Sequence, residues 1–344
     1  MTEALVVDDS HFMRTVITDI LETAGIDVVA QAADGNEAIE AVERTDPDVV
    51  TMDVEMPEMN GIEATEAIME RHPVPIMMLS ALTTEGAEST LTALEKGAVD
   101  FFAKPSGTIS TDLSAHSEAL VETVRSVAQS DPTAVQDIDA SRSETTTESY
   151  VDDPTLVIGA STGGPAVVES VLSELPMEAQ FRVLVVQHMP DQFTGRFAKR
   201  LDAASDYDVR EAGDGDRIGA GEVLVAKGDY HLVVSNYNSG RLRVKLEQSE
   251  PVHSVRPAID VTMESSAEKI TDPLTAVLLT GMGSDGAAGA RAIDEVGGAV
   301  LAQDEATSAV FGIPGRAIET GCVDEVLPAG DLVDGILRTV QEGA

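Results

Sequence analysis

Ser161, His188 and Asp285 each follow an aliphatic run: Leu156-Val157-Ile158-Gly159-Ala160 before the serine, Val183-Leu184-Val185-Val186-Gln187 before the histidine, and Ala276-Val277-Leu278-Leu279-Thr280 shortly before the aspartate. Short aliphatic runs bounded by Gly or Pro read as buried parallel strands, and open α/β sheets hold ligands beyond the carboxyl ends of such strands. A hydroxyl nucleophile, an imidazole base and a carboxylate that orients it, placed at three such ends, compose a Ser-His-Asp hydrolase site. Gly159-Ala160-Ser161-Thr162-Gly163 also fits G-x-S-x-G, which sets a serine on a sharp strand-to-helix turn. Gly164-Pro165 ahead of Val167-Val168-Glu169-Ser170-Val171-Leu172 then opens a helix whose first amides suit an oxyanion. The chain order is Ser, His, Asp, whereas α/β-hydrolases run Ser, Asp, His, so the ordinary lipase fold is not expected.

Each member has a rival. The lesser alternative for Ser161 is one hydroxyl of a phosphate-cradling dinucleotide loop, for which no acidic ribose partner is identifiable downstream. His231 and His253 compete with His188 as bases; His188 is preferred because it ends a strand and precedes Met189-Pro190, whereas His231 lies inside the strand-like Tyr230-His231-Leu232-Val233 and His253 in a Pro-flanked stretch. Asp191 and Asp260 are alternative orienters that follow a buried strand less closely, and Asp285 itself sits in the turn composition Ser284-Asp285-Gly286.

A second constellation lies near the amino terminus. Asp8 and Asp9 follow the run Leu5-Val6-Val7, Asp53 follows Val49-Val50-Thr51-Met52, Ser80 follows Ile76-Met77-Met78-Leu79 and Lys104 follows Phe101-Phe102-Ala103, so all five gather at one edge of a sheet. Three carboxylates there repel one another unless a hard divalent cation joins them, and the oxygen preference of Mg²⁺ suits the set. Asp53 then serves as a phosphoryl acceptor, with Lys104 balancing charge and the Ser80 hydroxyl on a phosphate oxygen. Any one of these aspartates alone would be an ordinary helix cap.

Five strands with amphipathic stretches between them, from Ala4 to about Val127, predict a doubly wound, flavodoxin-like parallel sheet. From Ala128 periodicity fades, and Ser141-Arg142-Ser143-Glu144-Thr145-Thr146-Thr147-Glu148-Ser149 is polar and low in complexity, as in a solvated linker. The expected organisation is a domain over 1–127, a flexible linker over 128–152 and a second α/β domain over 153–344 with a mostly parallel sheet. Hairpin-like material is expected around Val223–Val225, Leu232–Val234 and Leu242–Leu246, with a turn at Asn238-Ser239-Gly240. Cys322 is the only cysteine, which excludes an intramolecular disulfide, and it reads as a small core residue.

The amino-terminal residues, together with Met56-Pro57-Glu58-Met59-Asn60-Gly61 and Lys104-Pro105, resemble the receiver domain of two-component response regulators over about residues 3–127. The resemblance implies phosphorylation at Asp53, Mg²⁺ held by Asp8, Asp9 and Asp53, and a switch through Ser80, Phe102 and Lys104, with a cis peptide common at Lys104-Pro105. Asn60 stands where an Asp is frequent. Gly159–Gly164, Gln187-His188-Met189-Pro190 and Thr280-Gly281-Met282-Gly283-Ser284-Asp285-Gly286 resemble the chemoreceptor methylesterase family, CheB, over about 153–344, and a preceding receiver is that family's layout. This resemblance implies Ser161 as nucleophile, His188 as base, Asp285 as orienter and Thr162 and Met282 near the oxyanion. It further implies hydrolysis of glutamate γ-methyl esters and deamidation of glutamines on methyl-accepting chemoreceptors, no cofactor for that reaction, and control by a chemotaxis histidine kinase as phosphodonor. Lys227, where the family usually has Pro, and Ser254-Val255-Arg256-Pro257-Ala258-Ile259-Asp260, where His-Arg-Pro-Ser-Val-Asp is usual, depart from the pattern off the triad.

No run reaches the roughly 18 apolar residues of a membrane span, and Met1-Thr2-Glu3 carries no basic leader, so a cytoplasmic protein without membrane insertion is expected. The chain has 61 acidic and 22 basic residues, a formal charge of −39, and only six lysines. Such a surface repels nucleic acid, which argues against a DNA-binding output domain. Self-repulsion on this scale is screened only at molar salt, where the Debye length is about 3 Å, and implies a halophilic source such as a halophilic archaeon. Unfolding monitored at low and at molar KCl, about 0.05 M and about 2 M, which span most of the change in screening, should show a marked loss of stability at low salt; equal stability in both would refute a salt-adapted surface.

Overall fold

The computed structural model describes residues 1–81, 84–104, 117–132 and 149–341. It divides into two compact units, Met1–Gln136 and Asp137–Ala344. Most of the expected linker, with Pro105 and its peptide bond, lies outside the described residues.

In the first unit the aliphatic runs form β1 (Glu3–Val7), β2 (Asp27–Ala32), β3 (Val49–Asp53), β4 (Ile76–Ala81) and β5 (Asp100–Lys104), all parallel, in the order β2-β1-β3-β4-β5. Side chains on both faces of β1 and β3 are buried because helices cover the sheet on each side, which is why these strands lack polar alternation. The doubly wound reading is therefore correct. The helix Gly61–Arg71 that follows β3 starts from Asn60, whose Oδ1 accepts from the Ile62 and Glu63 amides at 3.0 and 2.9 Å while Glu63 accepts from the Asn60 amide. Asn caps as well as Asp does, so the departure at Asn60 has no structural cost.

The second unit is built on a seven-stranded, wholly parallel sheet. Its strands are β6 (Thr155–Ala160), β7 (Arg182–Gln187), β8 (Asp208–Glu211), β10 (Glu222–Val225), β13 (Leu274–Leu278), β14 (Ala299–Gln303) and β15 (Glu325–Leu327), in the order β15-β14-β13-β6-β7-β10-β8. A small antiparallel sheet, β11 (His231–Asn238), β12 (Arg241–Glu247) and β9 (Arg217–Ile218), stands apart from it. Two of the three hairpin segments, with their turn at Ser239-Gly240, thus pair as expected. Val223–Val225 does not: it lies in β10, parallel to β7 and β8, where its fully buried Val-Leu-Val suits a strand covered on both faces. Cys322 is half-buried, with its Sγ against the Thr320 carbonyl past the helix Ile313–Glu319, rather than a core residue.

The hydrophobic core joins both sheets: Val157, Leu184, Leu224 and Ala276 of the parallel sheet belong to one buried cluster with Leu232, Val234, Leu242 and Val244 of the small one, and Ile259 and Met263 of the helix Ile259–Lys269 fill the layer between. From β6 the chain moves to β7 on one side and returns later to β13 on the other. That reversal opens a crevice beyond the carboxyl ends of β6 and β13. Among the described residues no helix is long and apolar enough to cross a membrane.

Gly61 shows how tightly the first sheet packs against its helices, since a Cβ there would lie 1.9 Å from the Asp53 carbonyl oxygen. Backbone cannot yield as a side-chain tip can. Gly61→Ala should therefore lower stability by about 1–3 kcal/mol or more, measured by urea unfolding in molar salt, and a neutral result would contradict this packing.

Candidate active site

Ser161 leaves β6 and is gripped by main chain. Its amide donates to the Thr280 carbonyl (3.0 Å), and its carbonyl accepts from the Gly164 amide and Gln187 Nε2, both at 2.8 Å. Gly163 makes the turn into the helix Gly164–Glu174: its φ is +74°, and a Cβ would lie 2.6 Å from Ala309 Cβ, so both conformation and space require glycine. Thr162 is buried, and its carbonyl accepts from Thr280 Oγ1 at 2.9 Å. Gly281 packs on Ser161 so closely that a Cβ would stand 2.7 Å from Ser161 Cβ, and the next residue, Met282, is exposed.

His188 follows β7, with its amide on the Ala160 carbonyl at 3.0 Å. Its Nε2 lies 2.9 Å from Asp285 Oδ2. The Asp285 carboxylate, in the loop after β13, also accepts the Ile259 amide on Oδ2 (2.7 Å) and the Asp260 amide on Oδ1 (2.9 Å), at the start of the helix Ile259–Lys269. Burial works against this charge. The His188 hydrogen bond and charge, with the amides of Asp260 and Ile259, outweigh it and hold the carboxyl below the ordinary aspartate value. With Nε2 facing the carboxylate, Nδ1 is the nitrogen left for a proton from Ser161, the reverse of the usual assignment in Ser-His-Asp hydrolases. No hydrogen bond joins Ser161 Oγ to His188 among the described residues; in the absence of substrate such bonds are often long.

The rival bases are otherwise engaged. His231 is buried, with Nε2 on the Glu250 carbonyl (3.1 Å) and Nδ1 accepting from the Ala258 amide (3.2 Å). His253 pairs with Asp260 (2.8 Å), and Asp191 pairs with Lys227 (3.1 Å). Sequence reasoning overlooked Gln187 and Thr280, two buried polar residues that end in hydrogen bonds around the nucleophile's turn; a polar residue closing an aliphatic run was the available signal.

In the first unit Lys104 Nζ lies 2.9 Å from Asp8 Oδ2 and 2.8 Å from Asp53 Oδ1. Carboxylate oxygens of Asp8, Asp9 and Asp53 come within 4.8 Å of one another. The Asp53 carboxyl is pushed up to about 6, chiefly by burial and in part by Asp8, against the charge and hydrogen bond of Lys104, which lower it. Burial also disfavours the Lys104 cation, but Asp53 and Asp8 together hold it above the ordinary lysine value. Three carboxylates against one ammonium leave the cluster short of positive charge, so the donor set fits an oxygen-preferring divalent cation. Ser80 is buried at the end of β4, its Oγ donating to the Gly86 carbonyl (3.2 Å) and accepting from Thr90 Oγ1 (2.6 Å), and Phe102 is half-buried in β5.

Residues 156–336 match the model of the CheB methylesterase family, and residues 4–112 match that of the response regulator receiver domain. A protein-glutamate methylesterase/protein-glutamine glutaminase of Halobacterium salinarum is 67% identical over 344 residues, covering 99% of each chain. One of the same description from Pyrococcus horikoshii is 41% identical over 98% of this chain and 94% of its own. The crystal structure of the Thermotoga maritima CheB methylesterase catalytic domain superposes with a TM-score of 0.52 at 40% identity, covering 55% of this chain and 99% of that one. A parallel-sheet crevice holding serine, histidine and aspartate, preceded in the chain by an acidic receiver site, agrees with those matches, and the chain belongs to the CheB methylesterase family, with a response regulator receiver domain before its methylesterase domain.

Proposed function

We propose that this chain hydrolyses glutamate γ-methyl esters and deamidates glutamines on methyl-accepting chemoreceptors, through Ser161, His188 and Asp285. The observation that carries the reading is the 2.9 Å contact of His188 Nε2 with the buried Asp285, while the His188 amide rests on the carbonyl of Ala160, the residue before Ser161. Ser161 Oγ attacks the ester carbonyl as His188 Nδ1 takes its proton, and the new C–O bond converts the carbonyl to an oxyanion. Thr162 and Met282 are assigned to the oxyanion region, supported by the approach of Gly281 to Ser161 and the start of the helix Gly164–Glu174 nearby. The C–OCH₃ bond breaks, His188 returns the proton to the departing oxygen and methanol leaves. Water, deprotonated by His188, then adds to the acyl carbonyl, the bond to Ser161 Oγ breaks as His188 returns the proton to Oγ, and the glutamic acid leaves as its carboxylate. Deamidation follows the same steps with ammonia departing.

Control is assigned to Asp53, which takes a phosphoryl group from a histidine kinase as the phosphorus–nitrogen bond of the donor breaks. Asp8, Asp9 and Asp53 would hold Mg²⁺, which when bound supplies the positive charge that three carboxylates and a phosphoryl group require. Lys104 is already placed on Asp53 and Asp8 to meet part of that charge. Ser80 near the end of β4, Phe102 within β5 and Lys104 at its end are the switch residues, and phosphorylation relieves a block by the receiver on the esterase; a few kcal/mol of difference between the two states is enough.

Methanol release from methylated receptor membranes, in molar salt, tests the chemistry. Ser161→Ala should lose about 10⁴-fold or more in kcat, and a variant that still releases methanol at the wild-type rate would remove serine catalysis. Asp53→Ala should abolish stimulation by a phosphodonor while Ser161-dependent release remains detectable, and persistent stimulation would place phosphorylation elsewhere.

A further inference from the structure

Asp285 is one half of a reciprocal pair. Its carboxylate takes the Ile259 and Asp260 amides at the start of one helix, while Asp260 Oδ1 takes the amides of Gly286 (2.9 Å) and Gly289 (2.7 Å) at the start of the helix Ala287–Glu295, directly after Asp285. Each aspartate therefore caps the helix that the other begins. Both are buried, and Asp260 Oδ2 meets His253 Nε2 at 2.8 Å. The same imidazole nitrogen stands 4.0 Å from Asp285 Oδ1, so two histidines flank one carboxylate, His188 on Oδ2 and His253 towards Oδ1. His253 is held in an unusual way: it and Ser254 have φ of +51° and +63°, within a tight loop closed by the Val252–Val255 bridge. Successive left-handed residues other than glycine are costly and persist where the surroundings fix them.

We infer that Asp260 and His253 are positioning residues for the reaction proposed above. Asp260 fixes the main chain that carries Asp285, and His253 sets how strongly Asp285 attracts the protonated form of His188. The inference rests on the Ser161–His188–Asp285 reading. When protonated, His253 places a cation beside Asp285 that competes with His188 for the same negative charge. The charged groups that meet His253 are Asp260 from the helix Ile259–Lys269 and Asp285 from the loop after β13; Glu264 of the same helix interacts electrostatically with both carboxylates, and His188 from the end of β7 pairs with Asp285. Removing the competing cation makes His188 easier to protonate, and a base that must be neutral is then lost at higher pH.

The test uses the full chain with methylated receptor membranes in molar salt. Asp260→Ala should lower kcat by roughly 10²-fold, the scale of a small misplacement of a reacting group, with KM nearly unchanged. Asp260→Asn keeps an oxygen for the Gly286 and Gly289 amides and should recover most of that loss. His253→Gln keeps a hydrogen-bond donor for Asp260 but no charge, and should move the acidic limb of kcat/KM to higher pH by roughly half a unit. A folded Asp260→Ala with normal kcat, an Asn variant no better than Ala, or an acidic limb in His253→Gln that stays put or moves to lower pH would each overturn the inference. If circular dichroism shows Asp260→Ala unfolded, Asp260→Asn and His253→Gln carry the decision: a kcat for the Asn variant near wild type supports the inference, and a drop of about 10²-fold refutes it. Activity lost in Ser161→Ala but indifferent to His253 and Asp260 would sink this inference alone, whereas activity retained in Ser161→Ala would sink the serine reading beneath it.

Discussion

The second unit depends on how a carboxylate can be kept ionised with 2% of its surface exposed at Asp285. An unpaired charge in that position would cost several kcal/mol. Here two main-chain amides from the head of a helix and one imidazole nitrogen take its oxygens, so the negative charge sits where the positive end of a helix dipole is also directed. The arrangement ties three strand ends together: β13 delivers Asp285, β7 delivers His188, and the His188 amide in turn rests on the carbonyl of Ala160 at the end of β6, one residue before Ser161. Without that carboxylate the imidazole would lose its orientation and the helix head two of its acceptors.

The acidic site of the first unit solves the opposite problem. At Asp285 each oxygen has a donor, with two on Oδ2 and one on Oδ1. At Asp53 positive charge is short: Lys104 is shared between two carboxylates, and the carboxyl is driven up to about 6, chiefly by burial. A site whose charge is closed holds its geometry; one left short of positive charge responds strongly to what arrives. The same chemistry of buried carboxylates therefore suits the orienter role proposed for Asp285 in one unit and the acceptor role proposed for Asp53 in the other.

Much of this was legible in the sequence because parallel strands buried on both faces are written as uninterrupted aliphatic runs, and functional side chains stand at their ends. That rule located β6, β7 and β13 and the residues after them, and it located the five strands of the first sheet. It failed at Val223–Val225, since a short apolar run cannot declare whether it pairs parallel or antiparallel; the partner decides, and β7 lies about 40 residues earlier in the chain. Cys322 misled in the same way, because a small apolar residue after a helix is as easily half-covered as buried.

The cross-capping of Asp260 and Asp285 was beyond the reach of local patterns, since its partners are 25 residues apart. It did leave a trace. The helices Ile259–Lys269 and Ala287–Glu295 begin at Ala258 and Gly286, neither of which has a side chain able to cap, and no local cap is formed at either. Helix-head amides buried in a core must find acceptors. The amides of both heads are met from outside their own helix, each by the carboxylate that stands at the start of the other. That exchange holds Asp260, which the strand-end rule passed over as an orienter, against the segment that carries the one it selected.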